Sequence, residues 1–206
     1  MVVLEFSTAR NLGLGGSIAV VIGILLSVIP ALSFLGLILV LLGVILVLVA
    51  LRGLSEVYGD ESIFRNALGA TIAIILSWIL FFVFLATLLL GLAGVMAGEQ
   101  RATGALGASA IALILVVVAV AVSALLWYRA LGALSARSGV GMFRWAAIFY
   151  AISAVIFAVG LLLTLAVIGI FIVLIAGVVN LVSFILLALG FSSLKPPVMQ
   201  APQSGV

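Results

Sequence analysis

The sequence predicts an all-α, polytopic membrane protein: six transmembrane helices arranged as three antiparallel hairpins. Three observations carry this. Of the 206 residues, 68% are hydrophobic and 6% charged, against about 45–50% and about 25% in an ordinary globular chain. No core of this size can hide so much apolar surface, so the solvent must be lipid. The apolar residues come in uncharged runs of one or two membrane crossings, a crossing taking about 20 residues at about 1.5 Å each. The few charges gather in short polar stretches between those runs, above all in residues 50–68 and again in 130–147.

Residues 1–11 read as a short amphipathic lead-in holding Glu5 and Arg10. The apolar segment 18–29 has the length of a signal-peptide core, but a second apolar run follows at once, so it reads as a retained span. The uncharged run 12–51 is long enough for two spans of about 20 residues each. Pro30 is the natural break between them, because its ring removes a donor and clashes with the preceding turn. The expected spans are 12–29 and 32–51. A third, 68–97, carries the aromatic cluster Trp78, Phe81, Phe82 and Phe84. A fourth, 104–128, contains the β-branched stretch LILVVVAVAV. An isolated strand would leave its edges unpaired in lipid, so helix overrides propensity there. Trp127, Tyr128 and Arg129 close it at headgroup level.

The run 145–194 carries no charge and again reads as two spans, 145–167 and 171–193, broken near Gly169 for want of a proline. The bundle thus occupies 12–195. Lys195-Pro196-Pro197 ends it, and 196–206, rich in Pro, Gln and Ser, reads as a mobile tail.

Six spans put both termini on one side, together with Arg10, Arg52, Arg65, Arg129, Arg137, Arg144 and Lys195; the other side holds Arg101 beside Glu99. Seven bases against one, all near span ends, predict cytoplasmic N- and C-termini in a cell membrane.

The polar stretches repeat a pattern. Ala50-Leu51, Leu54-Ser55, Gly59 and Phe64-Arg65 match Ala130-Leu131, Leu134-Ser135, Gly139 and Phe143-Arg144; residues 188–195 give a weaker third copy. The segments LGLGGSIAVVIG (12–23), ALRGLSEVYGDESIFRNAL (50–68) and SGVGMFRWAAIFYAISAVI (138–156) resemble an archaeal family of multi-spanning membrane proteins known as domain of unknown function 996. The likeness extends over roughly residues 12–195 and is most specific at Leu54-Ser55, Tyr58, Asp60 and Ile63-Phe64. It implies a class and an archaeal source, and no activity or site residues.

The chain has no Cys and no His, which removes disulfides, thiolate chemistry and the commonest transition-metal ligands. No nucleophile–base pair can be assembled, so no enzyme and no cofactor are expected. Eight bases spread over span ends make no nucleic-acid surface. No ionisable residue falls inside a span, whereas ion-coupled transport normally needs one. Asn180 is the one strongly polar residue within a span. It reads first as an interhelical hydrogen bond, with solute coordination as the alternative. Ser27, Ser77, Thr87, Ser123, Ser153, Thr164 and Ser183 are expected to bond carbonyls of their own helices.

Gly16 and Gly23 lie seven apart, as do Gly36 and Gly43, and Gly94 with Gly98 forms a GxxxG; these are packing faces, within the chain or between copies. In 50–68, Asp60 or Ser62 is expected to cap the next helix, with Asp60 and Glu61 favouring its dipole. Arg52, Glu56 and Arg65 are expected to form ion pairs. The acids as a divalent-cation site are the minor alternative. Arg129, Arg137 and Arg144 are expected to meet lipid phosphates, or a partner subunit. The first functional expectation is a structural or accessory protein that self-associates or joins other membrane chains. The second is a channel or carrier for a small or lipid-like solute, with a pocket converging on Asn180.

Overall fold

The computed structural model describes residues 5–98, 102–163 and 168–196, apart from the side chain of Ile170. They form α1 (Phe6–Ser27), α2 (Ser33–Tyr58), α3 (Glu61–Met96), α4 (Ala102–Ser138), α5 (Gly141–Leu162) and α6 (Ile168–Ser192). There is no strand among the described residues, and each helix is long and apolar enough to cross a membrane. The chain is an all-α, multi-pass membrane protein.

Pro30 breaks the first run as expected, opening a 3-10 turn, Pro30–Leu32, between α1 and α2. The other boundaries differ from the expected spans. The polar stretch 50–68 is not a loop: α2 runs on to Tyr58 and α3 starts at Glu61, leaving two residues between them. Likewise α4 continues to Ser138, beyond the expected end at 128, and α5 starts at Gly141. Charge marks where hydrocarbon ends, not where a helix ends. Leu, Arg and Glu are all good helix formers, so the helices continue until a residue stops them. That residue is Gly59 (φ 63°) in one joint and Gly139 (φ 71°) in the other, in left-handed backbone that favours glycine. The N–H groups of Gly59 and Asp60 close α2 by donating to the carbonyls of Glu56 and Ser55. The expected break at Gly169 falls inside α6. Residues 164–167, the turn 99–101 and the tail from 197 lie outside the described residues.

The chain divides into two compact units. The first comprises residues 1–65, 130–146 and 184–206. Its frame is the α1–α2 hairpin, closed on a glycine seam. A Cβ placed on Gly16 would stand 2.7 Å from the carbonyl oxygen of Gly43, and one on Gly23 the same distance from that of Gly36. Partners descend on one helix as they ascend on the other, so the two are antiparallel. Leu51, Leu54, Ile63, Leu131, Leu134 and Phe143 are fully buried. The Phe143 ring meets Phe191 edge-on at 5.3 Å. A Cβ on Gly190 would press on Phe143, and one on Gly13 on Phe191.

The two polar joints therefore repeat in three dimensions: helix, buried leucine pair, left-handed glycine, helix. Counted from the glycine, Phe143 matches Ile63 rather than Phe64, which is only half-buried. The third copy is not equivalent, since Leu189 is 45% exposed where Leu51 is fully buried.

The second unit comprises residues 66–129 and 147–183, the greater part of α3–α6. Gly94 lies against Ala102, Gly91 against Leu106 and Gly69 against Leu126, which makes α3 and α4 antiparallel. Gly160 against Val173 and Ser153 against Ala176 do the same for α5 and α6.

Candidate functional site

Asn180 lies midway along α6 and lines a cavity of about 360 Å³ in the second unit. The walls are mostly apolar: Trp78 and Phe81 from α3, Val116 from α4, Phe157 from α5 and Val173 from α6. Trp78 and Phe81 meet at right angles, ring centres 6.5 Å apart. Four polar side chains join them: Ser77, Tyr150, Ser153 and Asn180.

The hydroxyl protons of this set are already committed. Ser77 donates to Ile74 O at 2.7 Å and Ser153 to Ala176 O at 2.9 Å. Ser123, outside the cavity, donates its one proton to Ala70 O at 3.0 Å. Tyr150 Oη lies 3.3 Å from Ser123 Oγ. A hydroxyl has a single proton, so Tyr150 must be the donor there. What these groups still offer is lone pairs. Asn180 Oδ1 is also an acceptor, buried and with no hydrogen-bond partner. The cavity is thus an apolar chamber in which the hydroxyls offer lone pairs, while Asn180 adds an unpartnered Oδ1 and the two N–H groups of its amide.

Two expectations change here. Ser123 and Ser153 do not bond their own helices; they bridge α4 to α3 and α5 to α6. Ser27, Ser77 and Thr87 do bond carbonyls within their own helices. Asn180 does not use Oδ1 in an interhelical hydrogen bond. Tyr150 was not singled out from the sequence. The available signal was a tyrosine set inside an uncharged run rather than at its end, where the headgroups lie.

A second concavity, about 400 Å³, runs between α4 and α5 on the same unit. Its lining from Val117 to Tyr128 and from Ala151 to Leu162 is apolar but for the Tyr128 hydroxyl.

The charged residues organise the first unit. Asp60 caps α3 through its Oδ1, which accepts from the Ser62 N–H at 3.1 Å and the Ser62 hydroxyl at 2.6 Å. Its Oδ2 accepts from Arg137 Nε at 3.1 Å. The Ser62 hydroxyl and then the Arg137 guanidinium hold the Asp60 carboxyl below its usual range. Arg52 pairs with Glu56 at 3.6 Å and stands over the Phe64 ring at 5.8 Å. The expected Arg52–Glu56–Arg65 cluster is thus only a pair, and the long-range partner, Arg137 on Asp60, comes from α4. Arg65, Arg129 and Arg144 are exposed, as is Glu61, and none makes an ion pair among the described residues. No group of acids able to hold a metal occurs among the described residues. The glycines Gly16, Gly23, Gly36 and Gly43 face one another inside the hairpin, Gly94 faces Ala102, and Gly98 (φ 71°) ends the α3 run.

The sequence profile of a family described as "Protein of unknown function (DUF996)" matches residues 32–178. The match supports the expected family but not the expected archaeal source. No curated protein and no solved structure matches the chain.

Proposed function

This chain belongs to the DUF996 family, and we propose from its own geometry that it is a non-enzymatic, membrane-embedded binding protein of the carrier class. Its ligand is a small lipid-like solute with a hydrogen-bonding group such as a hydroxyl. The observation that carries the reading is Asn180, its buried Oδ1 unpartnered, in the lining of a cavity walled by Trp78, Phe81 and Phe157. A buried acceptor left unpaired costs about 1–3 kcal/mol. A ligand hydroxyl or amide N–H removes that cost, and its apolar body fits the aromatic walls. The volume lies in the usual range for small-molecule sites, about 300–1,000 Å³. A cationic ligand is disfavoured, since no carboxylate lines the cavity to balance its charge in a low-dielectric site.

The structural or accessory role rested chiefly on small-residue faces open to other chains. Gly16, Gly23, Gly36, Gly43 and Gly94 are occupied within the chain, which weakens that support. The seven-to-one distribution of bases supports cytoplasmic N- and C-termini.

The test compares decanol with decane on the full chain in lipid nanodiscs, reading the unfolding temperature. Ligand bound to the folded state alone raises it. Decanol should stabilise the wild type, decane should not, and Asn180→Leu should weaken the decanol response about fivefold to tenfold, the worth of one hydrogen bond. Equal responses to both probes, or an unchanged decanol response in Asn180→Leu, would overturn the reading.

A further inference from the structure

We propose that the α4–α5 groove holds one acyl chain of a phospholipid whose anionic headgroup is bound by Arg129. This groove shares Val120 and Ala154 as a common wall with the Asn180 cavity, but the proposal does not rest on the reading of that cavity. The groove is lined by residues at helical spacing on both sides: Val117, Ala121, Ala124 and Tyr128 on α4, with Ala151 and Ala158 among those on α5. The alanines recess its floor, while exposed Leu125, Val155 and Val159 raise its rims. Along α4 it extends from Val117 to Tyr128, or about 16 Å at about 1.5 Å per residue. One leaflet of hydrocarbon is about 15 Å deep, half of about 30 Å. The length therefore matches one lipid tail.

The polar end fixes the rest of the ligand. Tyr128 closes the groove with its phenol. Arg129 lies four residues after Leu125 and eight after Ala121, so it continues the same helix face. It is exposed and makes no ion pair among the described residues. A guanidinium at the headgroup end of a tail-length groove selects a phosphate carrying net negative charge. A helix from a second copy would satisfy the apolar groove but not the arginine.

The experiment is native mass spectrometry of the full chain released from nanodiscs holding equal phosphatidylglycerol and phosphatidylcholine. The wild type should retain one phosphatidylglycerol about tenfold over phosphatidylcholine. Arg129→Gln, a surface change, should bring retention of the anionic lipid down to that of the zwitterionic one. Ala158→Phe, which fills the groove but not the Asn180 cavity, should lower retention of both, whereas Asn180→Leu should change neither. Equal retention of the two lipids by the wild type overturns the proposal. So does an anionic preference that survives Arg129→Gln, or a dimer that Ala158→Phe dissociates while lipid retention is unchanged.

Discussion

The unit built on the α1–α2 hairpin and the unit of α3–α6 solve helix packing in opposite ways. In the first, glycines bring backbones into contact, and the space left is filled by Leu51, Leu54, Ile63, Leu131, Leu134, Phe143 and Phe191. Among the described residues, the largest fully buried side chains all lie in this unit except Val116. In the second, both concavities appear, and so do both buried polar atoms without a partner, Trp127 Nε1 and Asn180 Oδ1. Lipid gives helices no hydrophobic reason to associate, so close van der Waals contact and hydrogen bonds must do it. The first unit uses contact along its glycine seam. The second adds the Ser123 and Ser153 bridges to glycine contacts at Gly91, Gly94 and Gly160, around an incompletely filled interior. The largest fully buried side chains are concentrated in one unit and the concavities in the other.

The contrast breaks if equivalent truncations cost the same in both. Phe191→Ala should destabilise by about 3 kcal/mol, because the ring is fully enclosed and Phe143 loses its edge contact. Phe157→Ala, on the cavity wall and only half-buried, should cost less, about 1 kcal/mol, since one side of the ring faces the cavity instead of packed atoms. Reversible unfolding in mixed detergent micelles measures both. Next in size is Gly16→Ala. Its methyl would meet backbone atoms of α2, which cannot move aside as a side chain does, and the expected loss is about 1–3 kcal/mol. Its control is Gly107→Ala, where a Cβ meets nothing within 4 Å. There alanine should be neutral or slightly stabilising through helix propensity.

The architecture was legible in the sequence because each of its causes is local. Uncharged runs gave the spans, Pro30 the first turn, and the spacing of Gly16, Gly23, Gly36 and Gly43 the hairpin faces. Helix ends were less legible, because the charged stretches that begin at Arg52 and Arg129 keep helical geometry until Gly59 and Gly139. Asn180 stood out as a polar residue in hydrocarbon. Its surroundings did not, since a serine such as Ser153 bonds its own helix or a neighbour according to which backbone passes close by. The Asp60–Arg137 pair was hidden for the same reason: charge identifies candidates, while the partner is set by how α4 ends beside the α2–α3 joint.

Asn180→Leu sharpens the comparison in the other direction. In the tightly packed unit, replacing a buried side chain should cost stability. Here the substitution removes an unpaired acceptor and keeps the branched shape, with the adjoining cavity to take up leucine's greater bulk, so the ligand-free protein should be unchanged or more stable by about 1 kcal/mol. A clear loss, measured by thermal unfolding without added solute, would mean that the carboxamide holds the four helices together instead of serving the cavity.

The smallest expected effect belongs to Asp60 and separates fastening from filling within the first unit. Its carboxyl is held below the ordinary value of 3.8, first by Ser62 and then by Arg137. The contribution is therefore complete above that value and disappears as pH falls through the lower, folded-state one. The pair is at the surface, with the Arg137 side chain 57% exposed, so salt should weaken it. Asp60→Asn keeps a side-chain oxygen able to cap α3 and removes only the charge. The unfolding temperature of the wild type should drop slightly on acidification below about pH 4, while that of Asp60→Asn drops less, and molar salt should bring the two curves together. If the variant followed the wild-type curve throughout, the joint would owe its stability to Gly59 and the buried leucines alone.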